Sequence, residues 1–206
     1  IAAGNKLAGI IAVADTIKPS SKKAISALKA LGLEVAMITG DHAKVAEAVG
    51  KELGIDRIFA EVLPQDKERY VKKLQDEGKF VAMVGDGIND APALARADIG
   101  IAIGAGTDVA IETGNIVLMK SDPYDIVAAI RLSKATVTKM KQNLFWAAIY
   151  NVLAIPVAAG VFYKSFGILL RPEIAALLMS VSSIIVATNA VLLKRIEAKL
   201  KLPKHR

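Results

Sequence analysis

Along the first two thirds of the chain the hydrophobic positions fall into short runs of strand length, at residues 7–14, 34–38, 57–62, 80–84, 99–103 and 116–119. Between several of them apolar residues recur at helical spacing, over 21–31, 42–53 and 65–76. Alternating elements of this kind predict a Rossmann-like, doubly wound α/β domain, with ligands bound at the carboxyl edge of its strands. A long helix is predicted over 123–141. Beyond it the pattern changes, because residues 144–163 and 174–193 hold no charged side chain at all. Twenty helical residues rise ~30 Å, the thickness of one hydrocarbon core, so two membrane spans are expected rather than buried helices of a water-soluble domain. The chain therefore reads as two parts, 1–138 and 139–206.

Charge sharpens that division. Residues 1–138 carry 17 Lys and Arg against 18 Asp and Glu, while residues 139–206 carry 10 against 2, which together give the net +7 of the chain. The basic character belongs to the second part alone, which argues against nucleic acid as a partner and for a membrane-flanking tail in a bilayer. Mean hydropathy, +0.42, is high for a soluble protein. Arg131, Lys134, Lys139 and Lys141 precede the first span, and Lys194, Arg195, Lys199, Lys201, Lys204 and Arg206 follow the second. The loop between has only Lys164 and Arg171, so both ends are expected in the cytoplasm and the chain is multi-pass. Trp146 and Tyr163 stand near opposite ends of the first span, where interfacial aromatics belong. Cysteine is absent, which excludes a disulfide, a thiolate metal site or a cysteine nucleophile within these residues.

The chemistry concentrates after the strand at 80–84, in Val84-Gly85-Asp86-Gly87-Ile88-Asn89-Asp90-Ala91-Pro92-Ala93-Leu94. Gly85 and Gly87 permit a tight turn, and Asn89 or Asp90 can cap a helix that Pro92 helps to start. Asp86 and Asp90, four residues apart, would then converge as hard oxygen ligands of the kind that suit Mg²⁺ beside a phosphoryl group. A lone Gly-Asp-Gly is as often an ordinary turn. The full string is more specific. Gly104-Ala105-Gly106-Thr107-Asp108 lacks the third glycine of a dinucleotide fingerprint and reads as a strand-to-helix turn, with Asp108 near the start of a short helix.

Taken with its neighbours, the string resembles the P-type ATPases, cation pumps whose phosphorylation domain is of the haloacid dehalogenase type. Thr39-Gly40-Asp41 resembles the family's Thr-Gly-Asp loop, and Pro64-Gln65-Asp66-Lys67 its Pro-x-x-Lys element. Asp15-Thr16-Ile17-Lys18-Pro19 resembles, more weakly, its Asp-x-x-[Arg/Lys]-Pro segment near the nucleotide-facing side. The resemblance implies that Thr39 binds the phosphoryl group, that Asp41 positions the site for dephosphorylation and that Lys67 neutralises charge on an aspartyl phosphate. It also implies a catalytic place for Gly40 and Asn89, and Mg²⁺ on Asp86 and Asp90, with ATP held by a nucleotide-binding domain elsewhere in the pump. Phosphoryl transfer asks a protein mainly for positioning and electrostatic stabilisation, which a hydroxyl, a lysine and a carboxylate-held metal supply.

Polar side chains within the spans suggest what would be carried. Tyr150-Asn151 interrupts the first apolar run, and Met179 and Ser183 share a face of the second. Helix-to-helix hydrogen bonding is the ordinary use of Asn and Ser there. Together, Tyr-Asn in the penultimate helix and Met-x-x-x-Ser in the last resemble the copper branch of the heavy-metal P-type ATPases. Thioether sulfur suits Cu(I) or Ag(I), and no Asp, Glu or His lies within either span to favour a harder cation. Counted from the cytoplasmic ends, Asn151, Ser183 and Met179 lie ~10, ~15 and ~21 Å deep, which requires offset helices or successive stations along a path.

No Asp-Lys-Thr-Gly-Thr, which carries the family's acceptor Asp, occurs in the sequence, nor does Cys-Pro-Cys. The expectation is a C-terminal portion of a longer pump, with the acceptor strand upstream, the rest of the pump as its partner and a copper chaperone as a further candidate partner. The competing readings are a membrane-anchored haloacid dehalogenase-type phosphatase, a P-type ATPase for another metal, and a non-enzymatic regulatory module. Intact Thr39, Lys67, Asp86, Asn89 and Asp90 argue against the last.

Overall fold

The computed structural model describes residues 2–4, 6–7, 9, 16–86, 88–104, 112–167 and 171–193, without the side chains of 3, 7, 88, 150, 172 and 175. Two compact units result, Ile1–Val127 and Ala128–Arg206. The first opens with an antiparallel pair, β1 (Ala2–Ala3) and β2 (Lys6–Leu7), which the hydrophobic pattern does not announce. The strand expected at 7–14 falls for the most part outside the described residues.

From residue 19 the predicted alternation appears. α1 (Pro19–Ala30), β3 (Ala36–Ile38), α2 (Ala43–Leu53) and β4 (Arg57–Phe59) lead to a 3-10 turn at Pro64–Asp66 and α3 (Lys67–Asp76). β5 (Ala82–Gly85), a 3-10 turn at Ile88–Asp90, α4 (Ala91–Arg96), β6 (Ile99–Ile103) and β7 (Ile116–Leu118) follow. Pro19 starts α1 because its fixed φ suits a first helical position, with Lys18 extended before it. His42 begins α2 by accepting the Lys44 N–H on Nδ1 at 3.4 Å, and Gly54 ends it at φ +72°.

Every pairing among β3 to β7 is parallel. Ala36 stands opposite Arg57 in the pair β3–β4, and Ala82 opposite Ile99 in the group β5–β6–β7. Among the described residues β3 and β5 each keep one unpaired edge. Val71 of α3, Leu94 of α4 and Val127 are wholly buried, and Leu74, Ala93, Ile101 and Ala102 are buried with them. Each large apolar side chain so enclosed contributes about 2 kcal/mol. Helix α4 lies tight on β6, since a Cβ at Gly100 would sit 2.6 Å from the Leu94 carbonyl oxygen.

Charges gather at the strand ends remote from the motifs. Arg57 binds Glu77 through two hydrogen bonds of 2.6 and 3.1 Å, and Lys79 binds Glu34 at 2.8 Å. The Lys29 ammonium at 2.6 Å and the Val35 N–H hold the Asp56 carboxyl below its ordinary 3.8. Arg57 does the same for Glu77, and the Val81 N–H for Asp98.

α5 (Tyr124–Ala158) is one helix of 35 residues that runs through the predicted helix at 123–141 and into the first apolar segment. It stops five residues short of the expected end at 163, because the chain turns through Gly160 at φ +76°. A short α6 (Tyr163–Phe166) and Gly167 at φ +67° precede α7 (Pro172–Val191), 20 residues long. Lys139 of α5 donates to Asn189 Oδ1 of α7 at 2.7 Å, and Asn189 Nδ2 donates to Asn143 Oδ1 at 2.7 Å. The second unit is therefore a helical hairpin whose arms are tied where α5 approaches its apolar part and α7 leaves its own. Among the described residues no helix is long and apolar enough to cross a membrane, so the two expected spans appear as helices without meeting that measure.

Candidate functional site

Thr39-Gly40-Asp41 leaves the carboxyl end of β3 and is held by the strand beside it. The Thr39 N–H donates to the Phe59 carbonyl at 2.9 Å, continuing the ladder by one rung. Past the strand, two successive N–H groups reach back, Glu61 to the Asp41 carbonyl and Val62 to the Thr39 carbonyl, each at 3.0 Å. The Thr39 hydroxyl donates to Asp41 Oδ2 at 2.8 Å and accepts the Asp41 N–H at 3.1 Å, closing the loop on itself. A Cβ at Gly40 would stand 3.4 Å from the Val62 carbonyl oxygen, in ordinary contact, so the loop lies close to the chain leaving β4. Glu61 is the one non-glycine residue at positive φ, +58°, among the described residues. Such a backbone costs on the order of 1 kcal/mol and persists only where the surroundings impose it.

The second motif meets the third. Lys67, first residue of α3, donates to Asp90 Oδ1 at 2.7 Å, with side-chain exposures of 19% and 11%. A charge-assisted bond so sheltered contributes about 2 kcal/mol. Asp90 is the one buried charged residue among the described residues, and Lys67 is what makes that burial tolerable. Sequence reasoning offered Asp90 or Asn89 as the cap of α4; Asp90 does occupy the N-cap position, yet its carboxylate caps nothing and turns to Lys67 instead. Gly85, which ends β5, leaves the space for it: a Cβ there would lie 2.6 Å from Asp90 Cβ and 2.8 Å from Oδ2. Asp86 follows at the strand end and is exposed, as is Asn89. The two carboxylates fit Mg²⁺ by donor chemistry, although the described residues contain no cluster of three acidic or histidine ligands. Gly87 and residues 105–108 of the glycine-rich turn, with Asp108, lie outside the described residues, as does Asp15.

In the hairpin, the polar atoms of the expected ion ligands are satisfied locally. Asn151 Nδ2 donates to the Ala147 carbonyl at 2.9 Å, and Ser183 Oγ to the Met179 carbonyl at 3.2 Å, which places Met179 and Ser183 one turn apart on one face. Met179 is 66% exposed. The Tyr150 side chain lies outside the description.

Residues 1–98 match the family of haloacid dehalogenase-like hydrolases. Over 94% of its length the chain is 55% identical to a probable copper-exporting P-type ATPase of Archaeoglobus fulgidus, and over 89% it is 56% identical to a copper-exporting P-type ATPase of Vibrio cholerae. The chain belongs to the P-type ATPases. It spans 24% and 20% of the length of those two relatives. A zinc-transporting P-type ATPase of solved structure matches 87% of the chain at 37% identity and a TM-score of 0.73, with 28% of that structure covered.

In this P-type ATPase chain the second and third motifs meet, and a short stretch of chain joins the first to the second. Val62, whose N–H grips Thr39, is two residues from the turn that delivers Lys67, and Lys67 binds Asp90. Five contributors escaped the sequence. Glu61 carries no signal, because glutamate has no preference for a left-handed backbone. Gly85 was read as a turn former rather than as the space for Asp90. Lys139 was assigned to the positive flank, and Asn143 and Asn189 to nothing; polar residues a helical turn apart at the edge of apolar segments are the signal that would have found them.

Proposed function

We propose that this chain carries the phosphoryl-gripping and Mg²⁺-holding part of the catalytic site of an ATP-driven Cu(I)-exporting pump, together with two helices of its ion path. The observations that carry this reading are the buried Lys67–Asp90 pair and the self-closed Thr39–Asp41 loop, which put a fixed cation and a hydroxyl each at the carboxyl edge of parallel strands. Lys67 neutralises the phosphoryl oxygens, and the Thr39 hydroxyl turns from Asp41 to donate to them. Asp41, released from Thr39, orients the water that removes the phosphoryl group. Asp86 and Asp90 would hold Mg²⁺, which would neutralise charge on the phosphate oxygens. The acceptor carboxylate comes from a strand that residues 1–206 do not contain, and the unpaired edges of β3 and β5 offer it a parallel place.

The hairpin suits a bilayer. α7 is 20 residues long, ~30 Å at a helical rise, and Leu153, Leu177 and Ile184 are each about two-thirds exposed. A surface so apolar needs lipid or neighbouring helices. The Lys139–Asn189 bond joins the start of one apolar segment to the end of the other, as a hairpin with both basic flanks in the cytoplasm requires. The likeness to the zinc-transporting ATPase covers 87% of the chain, more than the 127 of 206 residues in the first unit, and so extends into the helices.

Copper as cargo rests on Met179, Asn151, Ser183 and Tyr150 and on the copper-exporting relatives. Zinc is the second reading, favoured by that same solved neighbour and opposed by the lack of Asp, Glu or His in the apolar segments. Metal-stimulated ATP hydrolysis by the full-length pump in vesicles separates them. Stimulation by Cu(I) that is lost in Met179→Ala and Asn151→Ala supports copper; stimulation by Zn²⁺ alone, or unchanged copper stoichiometry and turnover in both variants, contradicts it.

A further inference from the structure

Residue 61 lies between the two phosphoryl-facing motifs and holds an unfavourable backbone conformation that neither motif explains. It follows β4, precedes the buried Val62 and adopts φ +58°. In an extended strand, successive N–H groups point to opposite sides. Here the N–H groups of residues 61 and 62 both turn to the same loop, to the Asp41 and Thr39 carbonyls at 3.0 Å. The left-handed conformation at Glu61 is what turns them. The same reversal directs the chain from β4 into Leu63 and the Pro64–Asp66 turn, hence to Lys67.

The Glu61 side chain contributes less. Oε1 accepts the Ala43 N–H at 3.3 Å and faces His42 Nε2 at 3.5 Å. Since His42 Nδ1 accepts from Lys44, neutral His42 carries its proton on Nε2, toward Glu61. Both side chains are more than half exposed, at 69% and 59%, and a pair so solvated is worth little.

We infer that Glu61 is a positioning residue that sets the Thr39–Asp41 loop against Lys67 through its left-handed backbone rather than through its carboxylate. The inference rests on the phosphoryl-site reading above. The geometry asks for a residue that tolerates positive φ, so glycine and asparagine satisfy it and a β-branched side chain does not.

The test measures phosphoenzyme formation and decay, the KM for ATP and thermal unfolding on the full-length pump in vesicles, with Glu61→Gly, Glu61→Asn and Glu61→Val beside Thr39→Ala and Lys67→Ala. Glu61→Gly and Glu61→Asn are expected to keep most of the turnover. Glu61→Val is expected to lower kcat at least ~tenfold with KM for ATP unchanged and the unfolding temperature only slightly lowered, because a displacement of about 1 Å at a reacting group has effects of that size while the strain of one β-branched residue is small beside the stability of the whole. Should Glu61→Val not fold, Glu61→Ala takes its place and must be slower than Glu61→Gly. Wild-type turnover in the valine variant, or equal losses in the glycine, asparagine and valine variants, overturns the inference. If Thr39→Ala and Lys67→Ala also leave the phosphoenzyme unchanged, the site reading itself has failed; if they abolish turnover while Glu61→Val does not, only the role of Glu61 has failed.

Discussion

Asp90 shows how the sequence can single out a side chain without saying what it touches. Its place four residues after Asp86 marked it as a metal-side carboxylate, and the structure makes it the buried partner of Lys67 as well. That pairing could not be read from the sequence, because 23 residues separate the two and nothing in Pro64-Gln65-Asp66-Lys67 says where its ammonium points. Gly85 gives the sharpest test at this scale. Gly85→Ala must push Asp90 aside, since the new methyl would lie within 2.6 to 2.9 Å of three of its atoms. Half-maximal Mg²⁺ for phosphoenzyme formation is expected to rise at least ~tenfold, a loss of about 1.4 kcal/mol, with the fold intact; an unchanged Mg²⁺ requirement would refute the role given to Gly85. Lys67→Ala should also lower stability by about 2 kcal/mol in urea unfolding by leaving Asp90 buried and unpaired, and Lys67→Ala combined with Asp90→Ala should recover part of that loss.

At the scale of elements, helices 1 to 3 and the strands between them were legible because hydrophobic period and turn residues agree there: Pro19 starts a helix and Gly54 ends one. β3 and β4 came out at 3 residues each, shorter than their apolar runs, because Val35 gives its N–H to the Asp56 carboxylate and residues 61 and 62 turn theirs to the loop at 39–41. The first apolar segment likewise exceeds the helix beneath it, since hydrophobicity continues through 161–163 after Gly160 has turned the chain. The ion pairs at the far strand ends predict an acid limit. Asp56, Glu77 and Asp98 have folded values below their ordinary 3.8 or 4.5, so the stability they add is complete above about pH 5 and is lost as pH falls through the lowered values. The unfolding temperature is expected to stay level from neutral pH to about pH 5 and to fall below about pH 4, less steeply in Lys29→Ala. An identical acid slope in that variant would remove Asp56 from the explanation.

For the whole molecule, the sequence divided the chain by charge and hydropathy, and the metal preference and membrane topology remain readings of particular side chains. Sequence pattern locates apolar segments well, because length and lack of charge suffice; it cannot say that Lys139, Asn143 and Asn189 tie the hairpin. Replacing Asn189 with Leu is expected to loosen the two helices, measurable as faster proteolysis of the 159–171 connection in vesicles, and unchanged cleavage would show that these hydrogen bonds do not hold the arms together. Lacking Asp-Lys-Thr-Gly-Thr, these 206 residues alone should form no acid-stable phosphoenzyme from ATP. The decisive comparison is therefore Mg²⁺-dependent, acid-stable phosphoenzyme formed from γ-labelled ATP by the full-length pump, with native Asp86 and with Asp86→Asn. A fall of at least ~100-fold in the variant is the predicted result, as for removal of a group that stabilises transferring charge; phosphorylation at the native rate and Mg²⁺ dependence would contradict a phosphoryl site built on Thr39, Lys67, Asp86 and Asp90.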